Sequence, residues 1–238
     1  MRAVSITNRG GRRNNEDSVR FAHADGMWCF TLCDGLGGHR CGEIASAAVA
    51  ETICAEFENA PSVSADALRG YIEKAAQCLE EERMNDIEKY DMSSTAVVLV
   101  TDGEKAVWAH AGDSRLYYIR GGKIEKITND HSIAFWEYQN GLISYDDIRS
   151  SPNQNKLLRC ISDTDRLEVE YSEECALTEK EAFLLCSDGF WEFVRETDIE
   201  NSLDNAKSPK EWLENMLTVL HENETENNDN YSAIAVMI

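Results

Sequence analysis

Two runs, Met27-Trp28-Cys29-Phe30-Thr31-Leu32 and Ala96-Val97-Val98-Leu99-Val100, are apolar on both faces. Strands of that kind must be covered on both sides, so the sheets they belong to need further layers above and below. Further β-type runs lie at 3–7, 95–101, 106–111, 116–119, 182–186 and 233–238. Thr101-Asp102-Gly103-Glu104 and Arg120-Gly121-Gly122-Lys123 read as hairpin turns. Spacing this short implies antiparallel pairing and argues against a series of βαβ crossovers.

Helical patterns fill the gaps. In 42–58, Ile44, Ala48, Val49, Thr52, Ile53 and Phe57 fall on one stripe. In 64–89, Leu68, Ile72, Ala75, Leu79 and Ile87 recur with a helical period. Ser208-Pro209-Lys210-Glu211 is a capping box with proline at the first helical position, and it predicts a helix burying Trp212, Met216, Leu217 and Leu220. Thr197-Asp198-Ile199-Glu200 is a second, shorter candidate cap. Thr178 to Glu181 fits the same pattern but precedes an apolar, strand-like run, so no helix is expected there. The fold class is α+β.

The chain has 238 residues and no Pro/Gly linker or internal repeat, which favours one compact domain over 1–238. Its formal net charge of −21 repels nucleic acid and anionic lipid, so neither is expected as a partner. No apolar run is long enough to span a bilayer, and charge follows the first residues where a signal peptide would turn apolar. A cytoplasmic location is expected. Eight scattered cysteines without a Cys-x-x-Cys pair read as reduced, mostly buried small hydrophobes.

Several strand ends carry an aspartate beside Gly, Ser or Asn: Cys33-Asp34-Gly35, Gly112-Asp113-Ser114-Arg115, Ser187-Asp188-Gly189 and Asp229-Asn230. Arg12-Arg13-Asn14-Asn15-Glu16-Asp17 lies just after the first strand. Each alone reads as a turn. As a set they place carboxylates where a rigid scaffold aims side chains at one point. Asp34 and Asp188 each follow a wholly apolar strand, where an unpaired carboxylate is costly and a cation offsets the cost. Oxygen donors suit Mg²⁺ or Mn²⁺ in preference to zinc or copper.

In this order the motifs resemble the PPM family of metal-dependent protein phosphatases, the PP2C type, in its compact bacterial form. The resemblance rests on Arg12-x-x-Asn15-Glu16-Asp17, Asp34-Gly35-x-Gly37-Gly38, Ser94-Thr95, Gly112-Asp113-Ser114-Arg115, Asp130-His131-Ser132, Ser187-Asp188-Gly189 and Asp229-Asn230. It implies a four-layer α-β-β-α sandwich of two antiparallel sheets flanked by helices. It implies hydrolysis of phosphoserine and phosphothreonine on proteins by a water activated between two tightly held Mn²⁺ or Mg²⁺ ions, with a weaker third. Asp34 then bridges two metals and the Gly35 carbonyl ligates one. Asp188 and Asp229 ligate the other. Glu16 or Asp17 ligates directly or through water, the pattern leaving open which. Asp113 helps hold the third ion with Asp188. Arg12 grips the phosphate, and Arg12, Asp34 and Asp188 carry the catalysis.

Leu36 stands where animal relatives carry a histidine proposed as the leaving-group acid, which leaves that acid unassigned. His39 reads as a loop histidine and His131 as structural. The polar segment 132–159, with Trp136, Tyr138 and Tyr145 interleaved, corresponds to a flap beside the active site. The implied partners are proteins phosphorylated by a Ser/Thr kinase, and the kinase itself, met by a monomer. A catalytically weak phosphoprotein-binding regulator and a small-molecule phosphoesterase are the competing readings.

Overall fold

A computed structural model describes residues 1–37, 41–178 and 180–238, without the side chain of residue 88. Gly38 and His39, named above, lie outside the described residues. The strands are β1 (Arg2–Asn8), β2 (Asp17–Ala24), β3 (Met27–Leu36), β4 (Ser93–Ser94), β5 (Ala96–Thr101), β6 (Lys105–Ala111), β7 (Arg115–Arg120), β8 (Lys123–Ile127), β9 (Glu170–Tyr171), β10 (Cys175–Ala176), β11 (Glu181–Cys186) and β12 (Tyr231–Met237). The α-helices are α1 (Cys41–Asn59), α2 (Ala65–Asn85), α3 (Ile133–Gln139), α4 (Asp188–Trp191), α5 (Glu196–Asp204) and α6 (Pro209–Asn223).

Two antiparallel sheets form. One runs β1-β12-β11-β7-β8; the other runs β10-β6-β5-β3-β2, with β4 on β3 and β9 on β6. The alternation of side chains along each strand builds three apolar layers. Phe30, Leu32, Val97 and Leu99 of the larger sheet meet Leu116, Phe183, Leu185, Ile234 and Val236 of the smaller one between the sheets. Their neighbours Cys29, Cys33, Val98 and Val100 point the other way, under α1 and α2. Leu184, Cys186, Ala233 and Ala235 face α4, α5 and α6. The four-layer α-β-β-α order that the family resemblance implies is the observed one, and the doubly apolar strands are covered on both faces as expected. Each wholly buried Leu or Phe in these layers contributes about 1.5–3 kcal/mol.

Some local expectations need correction. In α1 the inner face belongs to Ala45, Ser46, Val49, Ala50, Ile53, Cys54 and Phe57, while Ile44 is exposed. Small residues win there because the helix lies close on the sheet. The second helix ends at Asn85, and Ile87 sits exposed in a separate 3₁₀ turn, Ile87–Lys89. α5 is capped by Arg195, two residues before the expected Thr197. The Asp198 carboxylate accepts from the Arg195 amide at 3.1 Å. α6 begins as expected, with the Glu211 amide donating to Ser208 Oγ at 3.2 Å. Its inner face is Trp212, Leu213, Met216 and Leu220, and Leu217 is only half-buried. At Thr178 no helix starts; the hydroxyl donates to Glu181 as β11 begins. β2 was not expected, and β8 was implied only by the hairpin turn at Arg120-Gly121-Gly122-Lys123. None of the eight cysteines forms a disulfide, and five are buried.

Candidate metal centre

The carboxylates meet at one end of the two sheets. Asp17 opens β2 and pairs with Asp34 of β3, residue opposite residue. β3 does not stop before Asp34, as the sequence suggested, but continues through Leu36. Asp113 sits in the tight link between β6 and β7. Asp188 is the first residue of α4, two residues past the end of β11, and Asp229 lies two residues before β12 starts. Asp17, Asp113 and Asp188 are buried, while Asp34, Asp229 and Glu16 are partly so.

Hydrogen bonds fix each of these backbones. Asp34 N donates to Thr95 Oγ1 at 2.9 Å, and Asp34 O accepts from Thr95 N at 2.8 Å and Ser94 Oγ at 3.0 Å. The Ser94-Thr95 motif is therefore a clamp on the Asp34 peptide. Asn230 organises the loop before β2. Its Nδ2 donates to Arg9 O at 2.8 Å and Asn14 O at 2.9 Å, while its Oδ1 accepts from Glu16 N at 2.7 Å. That loop carries Arg12, whose Nη2 donates to Asp229 Oδ2 at 2.6 Å.

The electrostatics are those of a cavity short of positive charge. Burial, then repulsion from Asp17, Asp188, Asp113 and Asp229, pushes the Asp34 carboxyl well above its ordinary range. Asp188 is raised in the same way by burial and by Asp113, Asp229 and Asp17. Burial lifts Asp17 to about 6, against the hydrogen bond from Ser187. Burial and Asp130 lift Asp113 to about 7, against Arg115. Glu16 is raised by burial and by Asp229.

The donor set fits a hard divalent cation. Asp17 Oδ2 accepts from Ser187 Oγ at 2.8 Å, but the buried Oδ1 of Asp17 has no hydrogen-bond partner. An orphaned carboxylate oxygen there costs free energy that a cation would recover. A second observation concerns Gly35. A Cβ on Gly42 would lie 2.7 Å from Gly35 O and 2.8 Å from Glu16 Oε2, so these two oxygens bracket one spot at the start of α1. Both are oxygen donors, as Mg²⁺ and Mn²⁺ require. Among the described residues, ligand-type side chains all within 4.8 Å of one another occur at His110, His131 and Glu170. The carboxylates spread wider, a basin suited to more than one ion with water completing each shell.

One residue escaped the sequence reading. Glu192 follows Asp188 by four positions across α4, and burial, then the Asp229 charge, raises its carboxyl. The Asp-x-x-x-Glu spacing, which puts two side chains on one helix face, was the available signal. Of the residues expected at the site, Arg12, Glu16, Asp17, Asp34, Gly35, Asp113, Asp188 and Asp229 all reach this end of the molecule. The expected flap, 132–159, packs α3 and a 3₁₀ turn, Asp146–Ser150, against the α4 side through Phe135 and Ile148. Arg149 Nη2 ties it to Glu196 at 2.7 and 2.8 Å.

The family model described as protein phosphatase 2C matches residues 8–230. The serine/threonine phosphatase stp of Listeria welshimeri is 28% identical over 225 residues, covering 92% of this chain and 89% of its own. The crystal structure of serine/threonine phosphatase Stp1 from Staphylococcus aureus superposes with a TM-score of 0.90 at 26% identity, covering 99% of this chain and 94% of that one. The catalytic domain of the serine/threonine protein phosphatase PstP, crystallised with two manganese ions, shares the fold at a TM-score of 0.85 and 23% identity, covering 98% and 96%. No described helix is long and apolar enough to cross a membrane.

Proposed function

Because this chain belongs to the protein phosphatase 2C family, we propose that it is a metal-dependent phosphatase that removes phosphate from serine and threonine side chains of proteins. The observation that carries the reading is Asp34: a carboxyl on a core strand, pushed up by its own burial and by four other aspartates. A fold stabilised for its own sake would not assemble such a group.

Asp34, the Gly35 carbonyl, Asp188 and Asp229 are the proposed ligands of two Mn²⁺ or Mg²⁺ ions, with Asp17 or Glu16 completing the set and Asp113 joining Asp188 on a weaker third. Ions bound there would lower the pKa of a shared water and orient it in line with phosphorus. The orphaned Asp17 Oδ1 supports a role for that residue beyond the hydrogen bond from Ser187. Arg12 is half-exposed at the rim, and its fork matches two phosphate oxygens. In the free protein it is held by Asp229, so binding substrate exchanges one anionic partner for another. Segment 132–159 is the proposed flap, and 1–238 the proposed phosphatase domain. Proteins phosphorylated by a Ser/Thr kinase, and the kinase itself, are the proposed partners of a cytoplasmic monomer.

The test is a substrate panel with saturating Mn²⁺. Phosphoserine and phosphothreonine peptides should be turned over far faster than small phosphorylated metabolites. Turnover of the metabolites alone would reject the protein-phosphatase reading.

A further inference from the structure

The link that carries Asp113 is held by the loop that follows β8. Gly112 precedes Asp113 with φ at +109°, and a Cβ there would lie 2.6 Å from Thr95 Cγ2, so only glycine fits. Its peptide is gripped on both sides by His131. The Gly112 amide donates to His131 Nδ1 at 3.2 Å, and the His131 amide donates to Gly112 O at 2.9 Å. On the far side of Asp113, Arg115 makes a two-pronged bond to Asp130, with Nε to Oδ1 and Nη2 to Oδ2 each at 2.7 Å. Asp130 and His131 thus clamp the residues flanking Asp113. Trp191 Nε1 donates to Asp113 O at 2.9 Å, and Thr95 and Ser114 hydroxyls meet at 2.8 Å.

His131 belongs to a grouping that invites a metal reading, with His110 and Glu170. The hydrogen bonds argue against it. Because Nδ1 accepts from the Gly112 amide, the neutral ring carries its proton on Nε2 and offers no second lone pair. His110 Nε2 meets Asn129 O at 2.7 Å and therefore donates. The two rings stack with centroids 4.5 Å apart. His131 Nε2 is buried without a hydrogen-bond partner and lies 3.6 Å from Glu170 Oε2. The side chain accepts that unmet donor, and its one satisfied bond goes to the residue before Asp113.

We propose that His131 is a positioning residue for Asp113: its Nδ1, acting on the Gly112 amide, sets the direction in which the Asp113 carboxylate faces the metal basin. This rests on the phosphatase reading above. A support of this kind behind a ligand is typically worth roughly 10–100-fold in metal affinity or activity.

Three variants separate positioning from packing. His131→Phe keeps the ring stacked on His110 and removes the acceptor. His131→Asn places an amide oxygen close to the Nδ1 position. His131→Gln keeps polarity but moves its amide out toward Nε2. In His131→Phe and His131→Gln the kcat on a phosphopeptide should fall about 10–100-fold with KM within about twofold. His131→Asn should recover most of the loss. Independently of activity, amide hydrogen exchange on the metal-free protein should show Gly112 losing protection in the Phe and Gln variants and keeping it in the Asn variant. Equal behaviour of Asn and Gln, in rate or in exchange, would overturn the proposal, as would unchanged kcat in His131→Phe. Should His131→Phe fail to fold, the Asn and Gln pair decides. If the wild type does not hydrolyse phosphopeptides, the phosphatase reading fails while the exchange experiment still tests the Gly112 contact.

Discussion

Asp17 and Asp34 stand directly opposite one another across the β2–β3 pair, and after burial the Asp17 charge is the first cause that raises the Asp34 carboxyl. Like charges facing each other in a sheet are destabilising, and here three further aspartates add to the repulsion on Asp34. A divalent cation relieves all of it at once. The melting temperature of chelated protein should therefore rise when Mn²⁺ or Mg²⁺ is added, and phosphatase activity should appear with it. Asp34→Asn should melt higher than wild type in chelator, gain less from metal, and be inactive. Full activity in excess EDTA would remove the metal reading.

Arg12 is a surface arginine with an unusual partner. Its guanidinium is half-exposed, yet it is bonded to Asp229, a proposed ligand. Arg12→Ala should raise KM for phosphopeptides and lower kcat/KM by roughly 10–150-fold, as expected for losing a charge-assisted hydrogen bond of about 1.5–3 kcal/mol. Arg12→Lys should fall between, since an ammonium cannot bridge two oxygens with one planar fork. Metal affinity measured by calorimetry should change little. Wild-type kinetics in Arg12→Ala would show that the phosphate binds elsewhere.

The strand-end aspartates were legible because Asp-Gly, Asp-Ser and Asp-Asn punctuation marks chain reversals, and reversals sit at sheet ends. The layers were legible because residues 27–32 and 96–100 leave no polar face. β2 was not, because Arg20 and His23 break its pattern and Phe21, packed edge-on against Phe30, stays partly exposed at the sheet edge. β8 is likewise a short edge strand, Lys-Ile-Glu-Lys-Ile, with little apolar area to announce it. The stripe read for α1 shared Val49, Ile53 and Phe57 with the buried face but was rotated toward Ile44, Ala48 and Thr52, whereas Ala45, Ser46 and Ala50 complete that face. An alanine- and serine-rich inner face carries little hydrophobic signal, so the period alone left the rotation of the helix undecided. The His131–Gly112 contact spans 19 residues and joins two loops, a relation that no local pattern encodes.

Arg115 and Asp130 form a pair with side chains 2% and 1% exposed, capped by the Trp191 ring 3.7 Å from the guanidinium carbon. Removing one partner leaves the other charge buried and alone. Arg115→Leu should cost about 3–5 kcal/mol, lowering the melting temperature by on the order of 10 °C. The double variant Arg115→Leu/Asp130→Leu should recover part of that loss. A melting temperature unchanged in Arg115→Leu would mean that Asp130 is neutral or solvated.

Asp113 also sets a pH dependence. Its carboxyl rises from an ordinary 3.8 to about 7 in the folded, metal-free protein. The folded state then holds this proton more tightly than the unfolded chain does, so the contribution to stability is fully present below the unfolded value and is lost as pH rises through about 7. His110 and His131, whose rings burial keeps neutral, work in the opposite direction near their unfolded value. The variant comparison cancels them. In chelator, the melting temperature of wild type minus that of Asp113→Asn should fall steadily from pH 4 to about pH 7. A flat difference would mean that Asp113 is ionised throughout.

The same residue decides whether a third ion takes part in turnover. Asp113 is buried beside Asp188, whose carboxyl it helps to raise, and its main chain is fixed by Trp191 and by the neighbours of Gly112 and Arg115. With the turn held by these bonds, Asp113→Ala should remove the carboxylate without moving the backbone. A site left with few carboxylates and mostly water binds Mg²⁺ or Mn²⁺ loosely, so the loss should fall on the weakest ion. Calorimetric titration of Asp113→Ala with Mn²⁺ should still show two tight ions, while kcat on phosphopeptides at saturating Mn²⁺ drops sharply. An unchanged kcat would reject a catalytic ion held by Asp113. Loss of the tight ions would instead place Asp113 among the ligands of the central pair.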